Sequence, residues 1–354
     1  MIKNPAAMAL ALLLSLAASN VQAAPTYLAQ NKVSQQLNLP ISEWIDANKK
    51  RKGTIIAVHG LTLYGDAWND LAKHLAVNGY RVFALDQRGF GRWQKNGAKY
   101  GGNNKIEISQ SQQDLLDLTT TIRQANPKQK LFLLGESLGS NMILSLMSEH
   151  PELADGAILG SPCYKRRAHP APLSWTKDLA KQMIKPNKAI DLSPYSAKYL
   201  SNDPVVEKDC DQDPMLNRRM TPAELIKVDV LCNRSWNDAK VLPASFPLLI
   251  VAGDKDAMFK STDLKKGIEK FGSKNISLNL LAGRGHLLME HQKVIPRVGS
   301  LLDSWLSKNT GALVATNVSS IGAASQPGTT TTKTVTTTTN TPSTTNKTAP
   351  ATSP

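Results

Sequence analysis

Leu131-Phe132-Leu133-Leu134-Gly135-Glu136-Ser137-Leu138-Gly139-Ser140 is the stretch whose reading decides the fold. Its four leading apolar residues have the composition of a buried strand, and Asn141 to Ser148 continues as a helical run. Between the two stands Gly-x-Ser-x-Gly. A strand that turns abruptly into a helix holds the central Ser in a strained conformation with its hydroxyl presented outward. The glycines have a steric purpose: at Gly135 and Gly139 the two backbones pass so close that a Cβ would clash. The pentapeptide alone is a weak signal. The strand before it and the helix after it make Ser137 a candidate nucleophile, for which the chain must supply a base, an acid and an oxyanion hole.

Working outward, Thr54 to Val58 reads as a buried parallel strand that runs into His59-Gly60-Leu61, followed by a helix over Trp68 to Ala76. A loop at the carboxyl edge of an open sheet faces the ligand side. The N–H of Leu61 is therefore expected to be half of an oxyanion hole, with the N–H of Leu138 as the other half. Arg81 to Leu85 is the next strand. In the tight loop Asp86-Gln87-Arg88-Gly89-Phe90-Gly91, Asp86 and Arg88 are expected to pair and brace the turn. Ser109 to Ala125 reads as a helix, Gly156 to Gly160 and Pro247 to Ala252 as buried strands, and Ile276 to Leu281 as the last strand. Glu290 to Leu306 is expected to close the domain as a helix. Upstream, Val33 to Leu39 and Glu43 to Asp46 are expected as short edge strands.

Two of these strands end in loops with the right chemistry: Gly253-Asp254-Lys255-Asp256 and Gly283-Arg284-Gly285-His286. The order Ser137, Asp256, His286 is the one an α/β-hydrolase requires. A Ser hydroxyl is a poor nucleophile until a His removes its proton. That His needs a carboxylate to fix its tautomer and stabilise the imidazolium. Of six histidines, only His286 follows the last strand in a Gly-rich loop; His59 is expected to pack or hydrogen-bond beside Gly60. Asp256 is the expected acid and Asp254 the alternative, the latter also suited to bonding its own turn.

From Cys163 to Phe246 the pattern changes: no strong strand appears, and Thr221-Pro222-Ala223-Glu224 has the form of a helix start. Trp175, Leu179 and Met183 share one helical face. Residues 163–246 are thus expected to be a helical insertion, entered and left at the carboxyl edge, that caps Ser137 and lends apolar side chains to the substrate pocket. The core is then 24–162 and 247–309. Residues 1–23 carry Lys3, an apolar run from Met8 to Ala18 and Val21-Gln22-Ala23, the form of a cleaved secretory signal. Residues 310–354 become Thr-rich and are expected to be a disordered tail. Among three cysteines none has metal spacing; export permits a disulfide, with Cys210 and Cys232 the favoured pair. The net charge of +14 is scattered without a nucleic-acid motif, which argues against nucleic acid and for attraction to anionic membrane surfaces or acidic polymers.

His59-Gly60-Leu61, Asp86 to Gly91, Gly135 to Gly139, Gly253 to Asp256 and Gly285-His286 together resemble the serine α/β-hydrolases of the monoacylglycerol lipase and lysophospholipase type. Asn202 to Val206 and Asp213 to Leu216 look like that family's cap, so the resemblance covers roughly residues 40–308. It implies an α/β-hydrolase fold, the triad above and a lipid-ester substrate, with no metal or organic cofactor. Trp93 stands where the family usually has Ser, and Ser140 where it usually has Gly; both bear on the shape of the acyl pocket. A peptidase or acyltransferase of the same fold, and a catalytically silent surface binding protein, are the alternatives. Haloalkane dehalogenation is excluded, because it needs a carboxylate nucleophile where Ser137 stands.

Overall fold

The computed structural model describes residues 24–164, 184–193 and 199–311. The expected signal (1–23), the tail beyond Gly311 and the stripe of Trp175, Leu179 and Met183 lie outside the described residues. The main element is an eight-stranded sheet in the order β1-β2-β4-β3-β5-β6-β9-β10. Its strands are β1 (Thr26–Leu28), β2 (Ile41–Ile45), β3 (Gly53–Val58), β4 (Tyr80–Leu85), β5 (Leu131–Glu136), β6 (Gly156–Gly160), β9 (Leu248–Gly253) and β10 (Ile276–Leu281). From β4 to β10 every neighbouring pair is parallel, while β1 and β2 add an antiparallel edge.

Both faces of this sheet are buried, which is why its central strands are apolar throughout. Alternate side chains still go to opposite sides, as a pleat requires. Ile56, Val58, Leu131 and Leu133 join one core and Ile55, Ala57, Phe132 and Leu134 the other. Helices α4 (Ile108–Ala125) and α5 (Leu138–Glu149) supply the first core. Helices α2 (Asn69–Val77) and α9 (Pro296–Thr310) supply the second. The register aligns the carboxyl ends: Val58 faces Gly135, Glu136 faces Gly160, and Leu281 faces Gly253. The chain leaves β3 for β4 on one side and returns to β5 on the other. The crevice outside β3 and β5 is therefore the switch point where ligands bind in such sheets.

Several local expectations are corrected. Residues 33–39 are not a strand: α1 (Lys32–Leu37) is capped by Asn31 in a reciprocal box with Ser34 and stopped at Asn38, φ 52°. Val33 and Leu37 then pack inward one helical turn apart. The closing helix starts at Pro296, not Glu290, because His291 takes φ 55° and Pro occupies the first turn. Asp86 does not pair with Arg88. Its carboxylate accepts from Gly65 N–H (2.7 Å), Arg92 N–H (2.8 Å) and Arg92 Nε (2.7 Å). Arg88 instead pairs with Asp114 and stacks on the buried Trp93, 4.3 Å from its centroid. The positive φ of Gly89 (85°) and Gly91 (52°) turns the chain so that Asp86 meets residue 92.

Residues 163–246 contribute α6 (Pro204–Gln212), α7 (Pro222–Asp238) and the two-residue strands β7 (Ile190–Asp191) and β8 (Arg219–Met220). Thr221 and Glu224 form a capping box, with Thr221 N–H reaching the Glu224 carboxylate at 2.7 Å. The expected Cys210–Cys232 disulfide is absent; all three cysteines are thiols. Cys210 on α6 packs with Leu63, Val206 and Leu216, whereas Cys232 on α7 packs in the main core, and nearness in sequence does not supply bonding geometry.

Candidate active site

Ser137 stands between β5 and α5 with φ 53° and ψ −121°, a conformation that costs a non-glycine residue on the order of 1–3 kcal/mol. The strain is held because the surroundings fix both sides of the turn. Ser137 N–H donates to Gly160 O at 2.9 Å. A Cβ at Gly135 would come within 2.6 Å of the Gly139 carbonyl carbon. Ser140 lies buried with Oγ 2.9 Å from the carbonyl oxygens of both Gly135 and Gly160, so the side chain at this departure from the family pattern ties the elbow to β6.

His286 is 1% exposed, and its Nδ1–H donates to Asp256 Oδ2 at 2.8 Å. Asp256 Oδ1 accepts from Met258 N–H (2.7 Å) and Phe259 N–H (3.0 Å), which orients the carboxylate. Burial alone would raise the Asp256 carboxyl, but the facing His286 and these donors outweigh it and hold it below its usual range. Burial likewise opposes charge on His286, yet Asp256, with smaller contributions from Cys163 and Glu136, lifts its pKa to about 9. The other ring nitrogen, Nε2, is buried and has no hydrogen-bond partner among the described residues. Asp254 accepts from Gly283 N–H at 2.7 Å; it is Asp256 that faces His286. His59 is buried and neutral, its pKa lowered by burial to about 4: Nε2 accepts from Gln87 N–H and Nδ1–H donates to Gly60 O.

Ser137 is 6% exposed, and its Oγ lies 3.6 Å from Cys163 Sγ. Leu61 follows β3 and Leu138 opens α5. Neither N–H donates to a backbone carbonyl among the described residues. The insertion bonds to the loops of this same edge. Asn202 Nδ2 donates to Gly283 O, and Asn202 Oδ1 accepts from Gly285 N–H. Leu287 N–H donates to Leu200 O. Asn217 donates from its side chain to Gly89 O and from its backbone to Thr62 O. Asp213 accepts from Tyr64 Oη (2.9 Å) and lies 2.8 Å from His291 Nε2. Leu63, Leu200, Val206, Leu216 and Leu287 form a separate apolar cluster across this contact.

A strained Ser after β5, a His–carboxylate pair after β10 and β9, and an inserted segment bonded to the same loops narrow the family decisively once the chain is compared with known proteins. The model of the family described as serine aminopeptidase, S33, matches residues 49–293. The chain belongs to that family. Its fold is the α/β-hydrolase fold expected from the sequence. Monoacylglycerol lipase of Mycolicibacterium smegmatis is 23% identical over 238 residues, 66% of this chain and 81% of the relative. Monoglyceride lipase of Rattus norvegicus is 26% identical over 263 residues, 72% and 82%. Among solved structures, a soluble variant of Saccharomyces cerevisiae monoglyceride lipase with a substrate analog covers 83% of this chain and 98% of its own. It has TM-score 0.66 and 19% identity. The Paleococcus ferrophilus monoacylglycerol lipase gives TM-score 0.61 at 20% identity, covering 77% and 99%.

In this S33-family member four residues near the site carry no signal that the sequence reading used. Glu136 is the variable position inside Gly-x-Ser-x-Gly, and Glu290 sits in what reads as a helix start; both are 0% exposed. Cys163 begins the insertion. Ser161, with φ 37°, donates from Oγ to His286 O at 2.6 Å and so fixes the His loop against β6.

Proposed function

We propose that the protein is an exported serine carboxylic-ester hydrolase that cleaves a monoacylglycerol or lysophospholipid through an acyl-enzyme. The observation that carries this reading is the buried His286–Asp256 bond, with Nε2 unpartnered among the described residues, on the sheet edge that holds the strained Ser137. Ser137 is the nucleophile. His286 Nε2 accepts its proton as Oγ attacks the ester carbonyl. The N–H groups of Leu61 and Leu138 receive the developing oxyanion. His286 then returns the proton to the leaving alcohol, and a water activated by the same Nε2 releases the acid. The similarity to proteins named as monoacylglycerol lipases supports the ester class, and the inserted segment over these loops suits an apolar acyl chain. The apolar run near the N-terminus supports export, and the +14 net charge supports work at an anionic lipid surface.

The test is hydrolysis of monoolein and of lysophosphatidylcholine by the purified chain, followed by fatty-acid release. No release from either, with p-nitrophenyl esters also untouched, defeats the reading. The description of the matching family favours one second reading, an aminopeptidase, and cleavage of aminoacyl amides in preference to esters would establish it.

Two outcomes follow from the His–Asp pair. Asp256→Asn keeps the volume but reverses the hydrogen-bond sense at His286 Nδ1, placing a proton on Nε2. It is expected to lower kcat by about 10³–10⁴-fold with KM little changed, read by steady-state kinetics on a soluble ester. The second outcome concerns pH. His286 must be neutral to accept a proton, and its folded pKa is raised from 6.5 to about 9. The acid limb of kcat/KM is therefore expected to rise with pH to a midpoint well above 6.5. The same shift makes the charged pair a source of stability fully present below the unfolded value of 6.5 and lost as pH rises through about 9. A limb centred at or below 6.5 would contradict the electrostatics of the pair.

A further inference from the structure

Two carboxyls lie buried behind the nucleophile. Glu136 accepts three successive backbone N–H groups beyond His286: Leu288 at 2.7 Å, Met289 at 3.1 Å and Glu290 at 2.9 Å. Glu290, fully buried, reaches the opposite way and accepts Gly60 N–H at 3.0 Å. Gly60 is wedged between the two parts of the site: a Cβ there would lie 3.1 Å from Glu290 Oε2 and 3.3 Å from Ser137 Cβ. Its successor, Leu61, offers the proposed oxyanion N–H. One side-chain relay thus runs from the loop after β10, through the residue before Ser137, and back to the loop after β3.

We infer that Glu136 and Glu290 are positioning residues for the reaction at Ser137: together they hold one proton in a fully buried site, and in that state they clamp the loops after β3, β5 and β10 into one catalytic frame. The inference rests on the hydrolase reading above and concerns residues that touch no reacting atom. The donor count says where the proton resides. Three N–H groups stabilise a carboxylate at Glu136, while Glu290 has a single donor and bears the proton. Burial raises both groups, Glu136 to about 7, and the neighbouring Glu136 charge pushes Glu290 well above the usual carboxylate range. The groups that face them are few. Glu136 faces Glu290 and His286; Glu290 faces Glu136; His286 in turn faces Asp256, Cys163 and Glu136. Among the described residues no cation faces Glu290 to compensate a second negative charge, so its ionisation as pH rises drives the two carboxylates apart and loosens Gly60 from the frame.

The experiment is the pH dependence of kcat/KM on p-nitrophenyl butyrate, over roughly pH 5 to 10, for the full chain and its variants Glu290→Gln and Glu136→Gln. Thermal unfolding midpoints are taken at each pH. Wild type is expected to give a bell whose two limbs are set by His286 gaining and Glu290 losing a proton. Glu290→Gln has no proton to lose there and is expected to keep the acid limb and shed the alkaline one. Glu136→Gln removes a negative charge that favours the protonated forms of both His286 and Glu290, so both limbs are expected to move to lower pH. Glu290→Ala leaves Gly60 N–H without its acceptor and is expected to lose about 100-fold in kcat at near-constant KM, with Glu290→Gln recovering most of that loss.

A merely structural role would scale the profile without moving its limbs. Limbs that superimpose on wild type in the Gln variants overturn the inference, and so does a wild type with no alkaline limb. If Glu290→Gln does not fold, the limbs of Glu136→Gln decide. If wild type cleaves no ester, the hydrolase reading fails by itself and the unfolding midpoints test the pair. Raised carboxyl pKa values give stability that is present below the usual carboxylate range and lost as pH rises. The midpoint should therefore fall with rising pH in wild type more steeply than in Glu290→Gln. Equal slopes overturn the inference.

Discussion

Ser137→Ala is expected to lower kcat on a p-nitrophenyl ester by about 10⁵–10⁶-fold and to abolish labelling by a fluorophosphonate. The size follows from how the site divides its labour. Without Oγ, the His286–Asp256 pair has nothing to activate, and only the backbone donors and binding remain to speed attack by water. The fold should be indifferent. Among the described residues the lost hydroxyl makes one hydrogen bond, at 3.6 Å to Cys163 Sγ, while the strained backbone is held by Ser137 N–H to Gly160 O and by the close passage of Gly135 and Gly139. The thermal midpoint is therefore expected to stay within about 2 °C of wild type, because no apolar burial or backbone bond is removed. Ester hydrolysis at the wild-type rate in this variant would remove Ser137 from the mechanism and with it the proposed acyl-enzyme.

Gly139→Ala should produce a large loss of stability from a single methyl group. The added Cβ would overlap the carbonyl oxygen of Val58 and stand 2.7 Å from its carbonyl carbon and 2.9 Å from His59 O. All three are backbone atoms of β3 and its exit, so no side chain can swing aside; α5 must move off the sheet. A penalty of about 4 kcal/mol is expected, at the upper end for overpacking, which lowers the midpoint by roughly 10 °C in a domain of this size. Because Val58 and His59 lead into Gly60 and Leu61, the surviving folded fraction should also label more slowly at Ser137. Gly283→Ala is the control: nothing lies within 4 Å of its added Cβ, and only φ 73° opposes it. It should cost about 1 kcal/mol. Equal midpoints for the two variants would show that the elbow tolerates separation of α5 from β3.

These two glycines differ in how far the chain itself announces them. Gly139 is legible because a local pattern, apolar strand then Gly-x-Ser-x-Gly then helix, has one steric solution. The same holds for β3, β4, β5, β6 and β9, whose near-continuous apolar runs satisfy a strand buried on both faces and little else. Ile276–Leu281 matches the reading residue for residue. The order of Ser137, Asp256 and His286 was legible too, since each follows a strand and parallel strands present their carboxyl ends on one edge. Misreadings cluster where short polar segments leave the period ambiguous. Val33 and Leu37 fit either a pleat or one helical turn, and the Asn31–Ser34 cap settled it.

What the sequence by itself determined, then, is the α/β-hydrolase frame and which side chains reach its carboxyl edge, because runs, turns and strand order are local properties of a chain. Only the tertiary structure decided who meets whom. Asp86 turned to Arg92 and Arg88 to Asp114; Cys210 and Cys232 went to different apolar clusters and remained thiols; Asp256, not Asp254, took His286. Glu136 and Glu290, which the chain separates by 154 positions, were both buried, with the Glu136 carboxylate accepting the Glu290 N–H. Such pairings depend on differences of a few ångströms between groups far apart in the chain. Those distances are set by the packing of every intervening element at once, and no spacing rule along the backbone encodes them.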